Sequence, residues 1–153
     1  MMGGGVMRGF EFCETMAGSF HLVDSPSDER PMSFTIRARS RGLLDFLRKP
    51  EVEIEGEIDA EGFADHRYLS GRLGLDVVRT GTLPYSFEFT ANDGRRCAFA
   101  GRKTVRPGDL MTSMTVLPGV LVGDGGALIG EALLRFDLRS DLLRFLRSFR
   151  ATR

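Results

Sequence analysis

Strict alternation of apolar and polar residues is the feature that most restricts how this chain can fold. Its clearest stretch is Glu51-Val52-Glu53-Ile54-Glu55-Gly56-Glu57-Ile58-Asp59. A period of two belongs to the β-strand, whose successive side chains point to opposite faces. Val52, Ile54 and Ile58 therefore share one face, and five carboxylates share the other. A row of acids invites a cation-site reading. Alternate side chains on one strand face stand about 7 Å apart and do not converge, so a solvated strand face is expected.

The same period recurs along the chain. Residues 9–22 place Phe10, Phe12, Met16 and Phe20 on one face, and residues 32–39 do so with Phe34, Ile36 and Ala38. Residues 67–77 carry Leu69, Leu73 and Leu75, and residues 84–91 carry Tyr85, Phe87 and Phe89. Asn92-Asp93-Gly94 is a turn suited to a tight hairpin, and residues 95–105 return with Cys97 and Phe99 inward. Residues 110–117 and 127–138 complete the strands, joined across Gly119 to Gly126, within which Asp124-Gly125-Gly126 is a turn.

Two segments carry helical spacing instead. Residues 41–49 hold Leu43, Leu44, Phe46 and Leu47, and residues 140–150 hold Leu142, Leu143, Phe145, Leu146 and Phe149. Both show the i, i+3, i+4 pattern of an amphipathic helix. Pro50 suits the end of the first, and Ser140 suits the N-cap of the second. Residues 43–48 and 142–147 agree at five of six positions, a weak internal repeat.

Strands recurring about every 12 residues point to a sandwich or an up-and-down barrel. Their length and hairpin-like connections favour the barrel. The expected fold is mainly β: an antiparallel, about eight-stranded, lipocalin-like barrel with two short helices. It spans residues 9–153 as one domain, after a flexible Gly-rich start at 1–8. Eight strands enclose a space that side chains just fill, or that holds one small ligand.

Charge narrows the partners. Twenty-one basic and 21 acidic residues cancel, which gives no reason to expect nucleic acid or an anionic membrane. No segment has the length and apolarity of a membrane span or a signal-peptide core, and a cytoplasmic protein is expected. Two cysteines, Cys13 and Cys97, make no disulfide framework and no zinc spacing. By strand register Cys13 faces outward and Cys97 inward, which disfavours a bond between them. No phosphate loop, dinucleotide fingerprint, serine-hydrolase elbow or zinc-protease motif occurs, and no cofactor is expected.

The informative residues are polar ones on apolar faces. Glu14 shares its face with Phe12 and Met16, and Lys103 shares its face with Cys97 and Phe99. A carboxylate and an ammonium thus point into one interior, where an unpaired charge would cost several kcal/mol. In one reading they form a structural ion pair or reach water near the barrel mouth. In the other, Glu14 and Lys103 bind the polar group of an otherwise apolar ligand. Tyr85 and Thr112 then assist, and Met16 and Phe89 belong to the apolar wall.

Gly9-Phe10-Glu11-Phe12-Cys13-Glu14-Thr15-Met16-Ala17-Gly18 resembles the Phe-x-Glu-Thr-Met-x-Gly signature of a β-domain. That domain accompanies bacterial glucose–methanol–choline-type flavin oxidoreductases similar to cholesterol oxidase, and some α/β-hydrolase-like regions. Ser33-Phe34-Thr35-Ile36, Leu44-Asp45-Phe46-Leu47, Gly71-Arg72-Leu73, Tyr85-Ser86-Phe87-Glu88-Phe89, Ala100-Gly101-Arg102-Lys103 and Thr115-Val116-Leu117 fit in order. The likeness runs over about residues 9 to 150. Cys13 departs from it, standing where such domains often carry Thr. The resemblance implies a non-catalytic accessory module beside enzymes acting on lipids or sterols. Flavin binding belongs to a separate domain and does not carry over.

Three functions follow as expectations. The leading one is a binding or accessory module, for a hydrophobic small molecule such as a sterol or fatty acyl chain, or for a lipid-handling oxidoreductase. The second is a small barrel cyclase or isomerase, with Glu14 as acid or base and Tyr85 or Lys103 polarising the substrate. The third is a purely structural, protein-binding domain.

Overall fold

The computed structural model describes residues 9–136, 147–148 and 150–152. The expected flexible start at 1–8 and most of the expected helix at 140–150 lie outside the described residues. So does most of the second half of the weak repeat, residues 142–146.

Eight strands follow the alternation: β1 (Gly9–Leu22), β2 (Arg30–Arg39), β3 (Glu51–Ala60), β4 (Ala64–Gly74), β5 (Thr82–Thr90), β6 (Arg96–Thr104), β7 (Val116–Val122) and β8 (Leu128–Arg135). Each pairs antiparallel with the next. β8 then pairs back onto β1, with Gly18 opposite Leu134, and closes the sheet into a barrel. β1 has 14 residues, enough to hold β2 along one edge and two strands along the other. On that second edge β8 takes residues 17–22, and a short β9 (Arg150–Thr152) takes Gly9 to Glu11. The barrel is the expected one; β9 was not anticipated.

An up-and-down barrel sends alternate connections to alternate ends. One end carries only tight turns, at 23–29, 61–63, 91–95 and 123–127. Gly94 supplies the positive φ that the Asn92-Asp93-Gly94 hairpin requires. The other end carries α1 (Leu43–Arg48), α2 (Val77–Thr80) and α3 (Leu110–Thr115). The chain therefore has a plain end and a helical end.

One expectation needs correction here, and one holds with an addition. Residues 110–117 read as a strand and 119–126 as its connection, yet 110–115 form α3, and β7 runs from Val116 through Val122, so the strand lies several residues later than expected. Leu and Met are good helix formers, and Pro107-Gly108-Asp109 turns the chain into the helix through a 3₁₀ turn. Ser113 is buried, and its hydroxyl accepts the Arg106 N–H at 3.0 Å, which fixes that turn. The helix expected at 41–49 forms as α1, but its apolar face is only partly covered. Phe46 packs edge-on against Phe10 at 5.2 Å, whereas Leu44 and Leu47 stay 76% and 67% exposed.

The interior is filled with phenylalanine rings. Phe87 stacks on Phe99 at 4.9 Å and meets Phe34 edge-on at 5.2 Å. Phe63 bridges Phe20 and Phe89 nearer the plain end, both at 6.2 Å. Burying each ring is worth about 1.5–3 kcal/mol, and each ring pair adds about 0.5–1.5 kcal/mol. Phe brings no polar atom that would need a partner, which suits a closed core better than Trp or Tyr.

Glycine sets the curvature. Gly71 holds an inward position of β4 opposite Phe87, between Leu69 and Leu73. A Cβ there would lie 1.9 Å from the Ser86 carbonyl oxygen and 2.7 Å from the Phe87 Cβ. The strand bends because no side chain holds the two backbones apart. Gly71→Ala is expected to destabilise the fold by about 3 kcal/mol, the upper end for an overpacked core. Urea denaturation measures this, and an unchanged midpoint would refute the close approach.

Candidate functional site

Glu14 on β1, Tyr85 on β5 and Lys103 on β6 meet inside the barrel toward its helical end. Each sits on the inward face that the two-residue period assigns to it. Tyr85 donates its hydroxyl to Glu14 Oε1 at 2.5 Å, and Lys103 Nζ donates to Oε2 at 2.8 Å. The ammonium also lies 5.2 Å from the Tyr85 ring centroid, within cation–π range. The carboxylate and the ammonium are both almost completely buried. The ion pair is thus made, and it is not at a wet mouth.

Within the cluster Glu14 is the group that is fully engaged. Both carboxylate oxygens are occupied, and among the described residues no buried side-chain oxygen or nitrogen lacks a partner. Burial and the neighbouring Glu14 carboxylate push the Tyr85 phenol well above its ordinary pKa, so it stays protonated and keeps donating. Glu14 therefore has no lone oxygen aimed at open space, as a general base needs. The larger outer grooves do not reach it: one runs over β2–β5, lined by Arg37, Glu53, Tyr68 and Arg72, and another over β5–β8.

The other expected ligand residues divide. Met16 and Phe89 are buried in the interior wall, as their register requires. Thr112 does not join them. It lies exposed on α3, where its carbonyl accepts the Thr115 hydroxyl at 2.8 Å. Its expected inward direction assumed a strand, and the helix removes it. Cys13 is exposed, Cys97 is buried, and both are free thiols. Burial pushes the Cys97 thiol up, which disfavours its thiolate form.

The acid row of β3 is the solvated face it was expected to be, laced to its neighbours. Arg72 and Lys49 reach Glu51, Arg41 reaches Glu53 at 2.6 Å, and the Tyr68 hydroxyl donates to Glu55. One grouping was not anticipated. The register of β3 with β4 slips between Ile58 and Ala60, and the irregularity turns His66 out at φ 51°. Its Nδ1 lies 3.0 Å from Glu57 Oε1 and 3.1 Å from Asp59 Oδ2. Alternation alone cannot reveal this, because a bulge breaks the period that would place His66.

No family model, no curated protein and no solved structure matches this chain.

Two measurements test the geometry. Lys103→Met leaves a buried carboxylate without its cation and should cost about 3–5 kcal/mol, whereas Glu14→Gln with Lys103→Met should recover much of that loss. Equal losses in the single and double variants, read from urea titrations, would show that the pair is not coupled. His66 is the second case. The Glu57 hydrogen bond and the charges of Asp59, Glu57 and Asp65 raise its pKa above the ordinary value. Its stabilisation is therefore present below about pH 6.5 and lost as pH rises through the folded value. His66→Asn should lower the melting temperature at acidic pH and leave it unchanged at alkaline pH. The opposite dependence would contradict the assignment.

Proposed function

We propose that this chain is a non-catalytic accessory module that works through its outer surface, docking on a lipid- or sterol-handling oxidoreductase. One observation carries the reading: phenylalanine rings occupy the interior, and both carboxylate oxygens of Glu14 are engaged by Tyr85 and Lys103. A carrier barrel needs room between its walls, and an acid–base enzyme needs an unengaged carboxylate beside a cavity. Neither requirement fits the Glu14 environment.

The helical end supports a docking role. Leu44 and Leu47 on α1 and Val78 on α2 are exposed, the last at 95%. Connections at one end of a rigid barrel are where binding residues concentrate. The partner class comes from the resemblance of residues 9–150 to the β-domain of sterol-oxidase-like flavoproteins. A ligand-binding reading keeps one specific support. Lys103 Nζ carries three N–H donors and spends one on Glu14. A hydrophobic molecule with a single acceptor oxygen, entering past the short helices, would take another.

Native mass spectrometry of the gently purified chain separates the two readings. The bare mass is expected, with no displacement of a fluorescent fatty acid by sterols or fatty acids. A co-purified apolar molecule in stoichiometric amount would overturn the docking reading in favour of the ligand one. Mixing the chain with a glucose–methanol–choline-type oxidoreductase from the same source should give a complex on size exclusion. That complex should weaken on Leu44→Glu with Leu47→Glu, and its absence counts against the partner class.

A further inference from the structure

The outer surface of the barrel is not uniform. Over β2–β5 the outward residues are mostly polar, and the charged ones are paired, as in Arg39–Glu11, Arg41–Glu53, Arg72–Glu51 and Arg96–Glu88 on this sector and its neighbours. Over β6–β8 the central outward positions are Ala98 and Ala100, then Pro118, Val120 and Val122, then Leu133, which is 42% exposed, with Arg96, Arg102, Glu131 and Arg135 around them. A strip of apolar outward residues with charge at its margins suits a protein contact.

Glycine shapes this face from beneath. Gly101 and Gly119 pair with each other at inward positions of β6 and β7. The Phe99 ring fills the space where their Cβ atoms would lie, 2.4 Å from the Gly119 position. The strands sink toward the core there and leave a shallow outer groove of about 620 Å³, walled by Pro84, Ala100, Pro118 and Val120.

Arg102 and Glu131 also line this groove. Arg102 follows Gly101, and Glu131 pairs with Val120, so they flank β7 on opposite sides and are offset along it in opposite directions from Gly119. Among the described residues Arg102 makes no ion pair, and Glu131 meets His21 Nε2 at 3.6 Å. A two-fold axis lying in the face, passing over Gly119 and perpendicular to the line between these charges, sets Arg102 of each copy opposite Glu131 of the other. That is the self-complementarity an isologous interface requires.

We propose that the outer face of β6–β8 is a two-fold interface with a second copy of this chain, its small apolar centre flanked by two Arg102–Glu131 pairs. The interface leaves the helical end free, so it stands whether or not a flavoprotein binds there.

A charge-swap series on the purified chain tests it by light scattering and sedimentation at several concentrations. The wild-type chain should run at twice its 16.9 kDa mass. Arg102→Glu sets two like-charge contacts across the axis and should raise the dimer dissociation constant at least about a hundredfold. Glu131→Arg should do the same, and the double variant should restore the dimer. Circular dichroism confirms that each variant folds. A monomeric wild-type chain would overturn the proposal and leave the face to an unlike partner or to solvent. A dimer indifferent to Arg102→Glu would overturn it by placing the interface elsewhere.

Discussion

Closure of the sheet through β1 is the constraint on which the rest of the molecule depends. An open eight-stranded sheet would expose two edges of unpaired N–H and C=O groups and leave one face without a core. β1 removes both problems because it is long enough to hold β2 on one side and β8 with β9 on the other. At the seam, Gly18 faces Leu134, and a Cβ on Gly18 would lie 2.0 Å from the Leu133 carbonyl oxygen. Closure and the absence of a side chain at this position are therefore one requirement. Inward glycines on β3, β4, β6 and β7 repeat the device around the barrel.

Once the barrel is closed, register matters more than composition. Shifting any strand by one residue exchanges its two faces. On β1 such a slip would expose Phe12, Met16 and Phe20, and would bury outward-facing polar residues in their place. The Glu14–Lys103–Tyr85 cluster adds a second demand, because it joins β1 to β5 and β6 across the interior. A buried ion pair contributes little net stability compared with apolar side chains of the same volume. Its effect here is to make misregistered packings expensive, since each would strand a charge among phenylalanine rings.

Much of this was legible in the chain because alternation is a local signal with a global meaning. Val52, Ile54 and Ile58 had to face inward wherever β3 lay, and Glu14 and Lys103 had to share an interior once both strands belonged to one barrel. What escaped prediction depended on exceptions to the period. Residues 110–115 alternate weakly and follow Pro107-Gly108-Asp109, so helix propensity and the buried Ser113 hydroxyl decided them. Thr112 lost its inward role with that strand. His66 escaped because a bulge is defined by the pairing of two strands, and Asp59 becomes its neighbour only through that pairing. α1 carried the right pattern, but a pattern states which face is apolar and not whether anything covers it.

The uneven exterior follows from the same arithmetic. Each strand presents half its residues to the core, and those positions are similarly apolar all round the barrel. The outward half is free to vary, and it varies by sector. On β3 it reads as carboxylates, each within reach of a cation or hydroxyl on a neighbouring element. On β7 it reads Pro118, Val120 and Val122, with charge only at the margins. Solubility alone would favour the first pattern everywhere, because exposed ion pairs cost little and keep apolar surface covered. On β7 consecutive outward positions carry no charge, and that sector departs from the pattern. The inward half is held to one pattern by the phenylalanine core and by the Glu14, Tyr85 and Lys103 cluster, so the sectors of this barrel differ from one another on the outside.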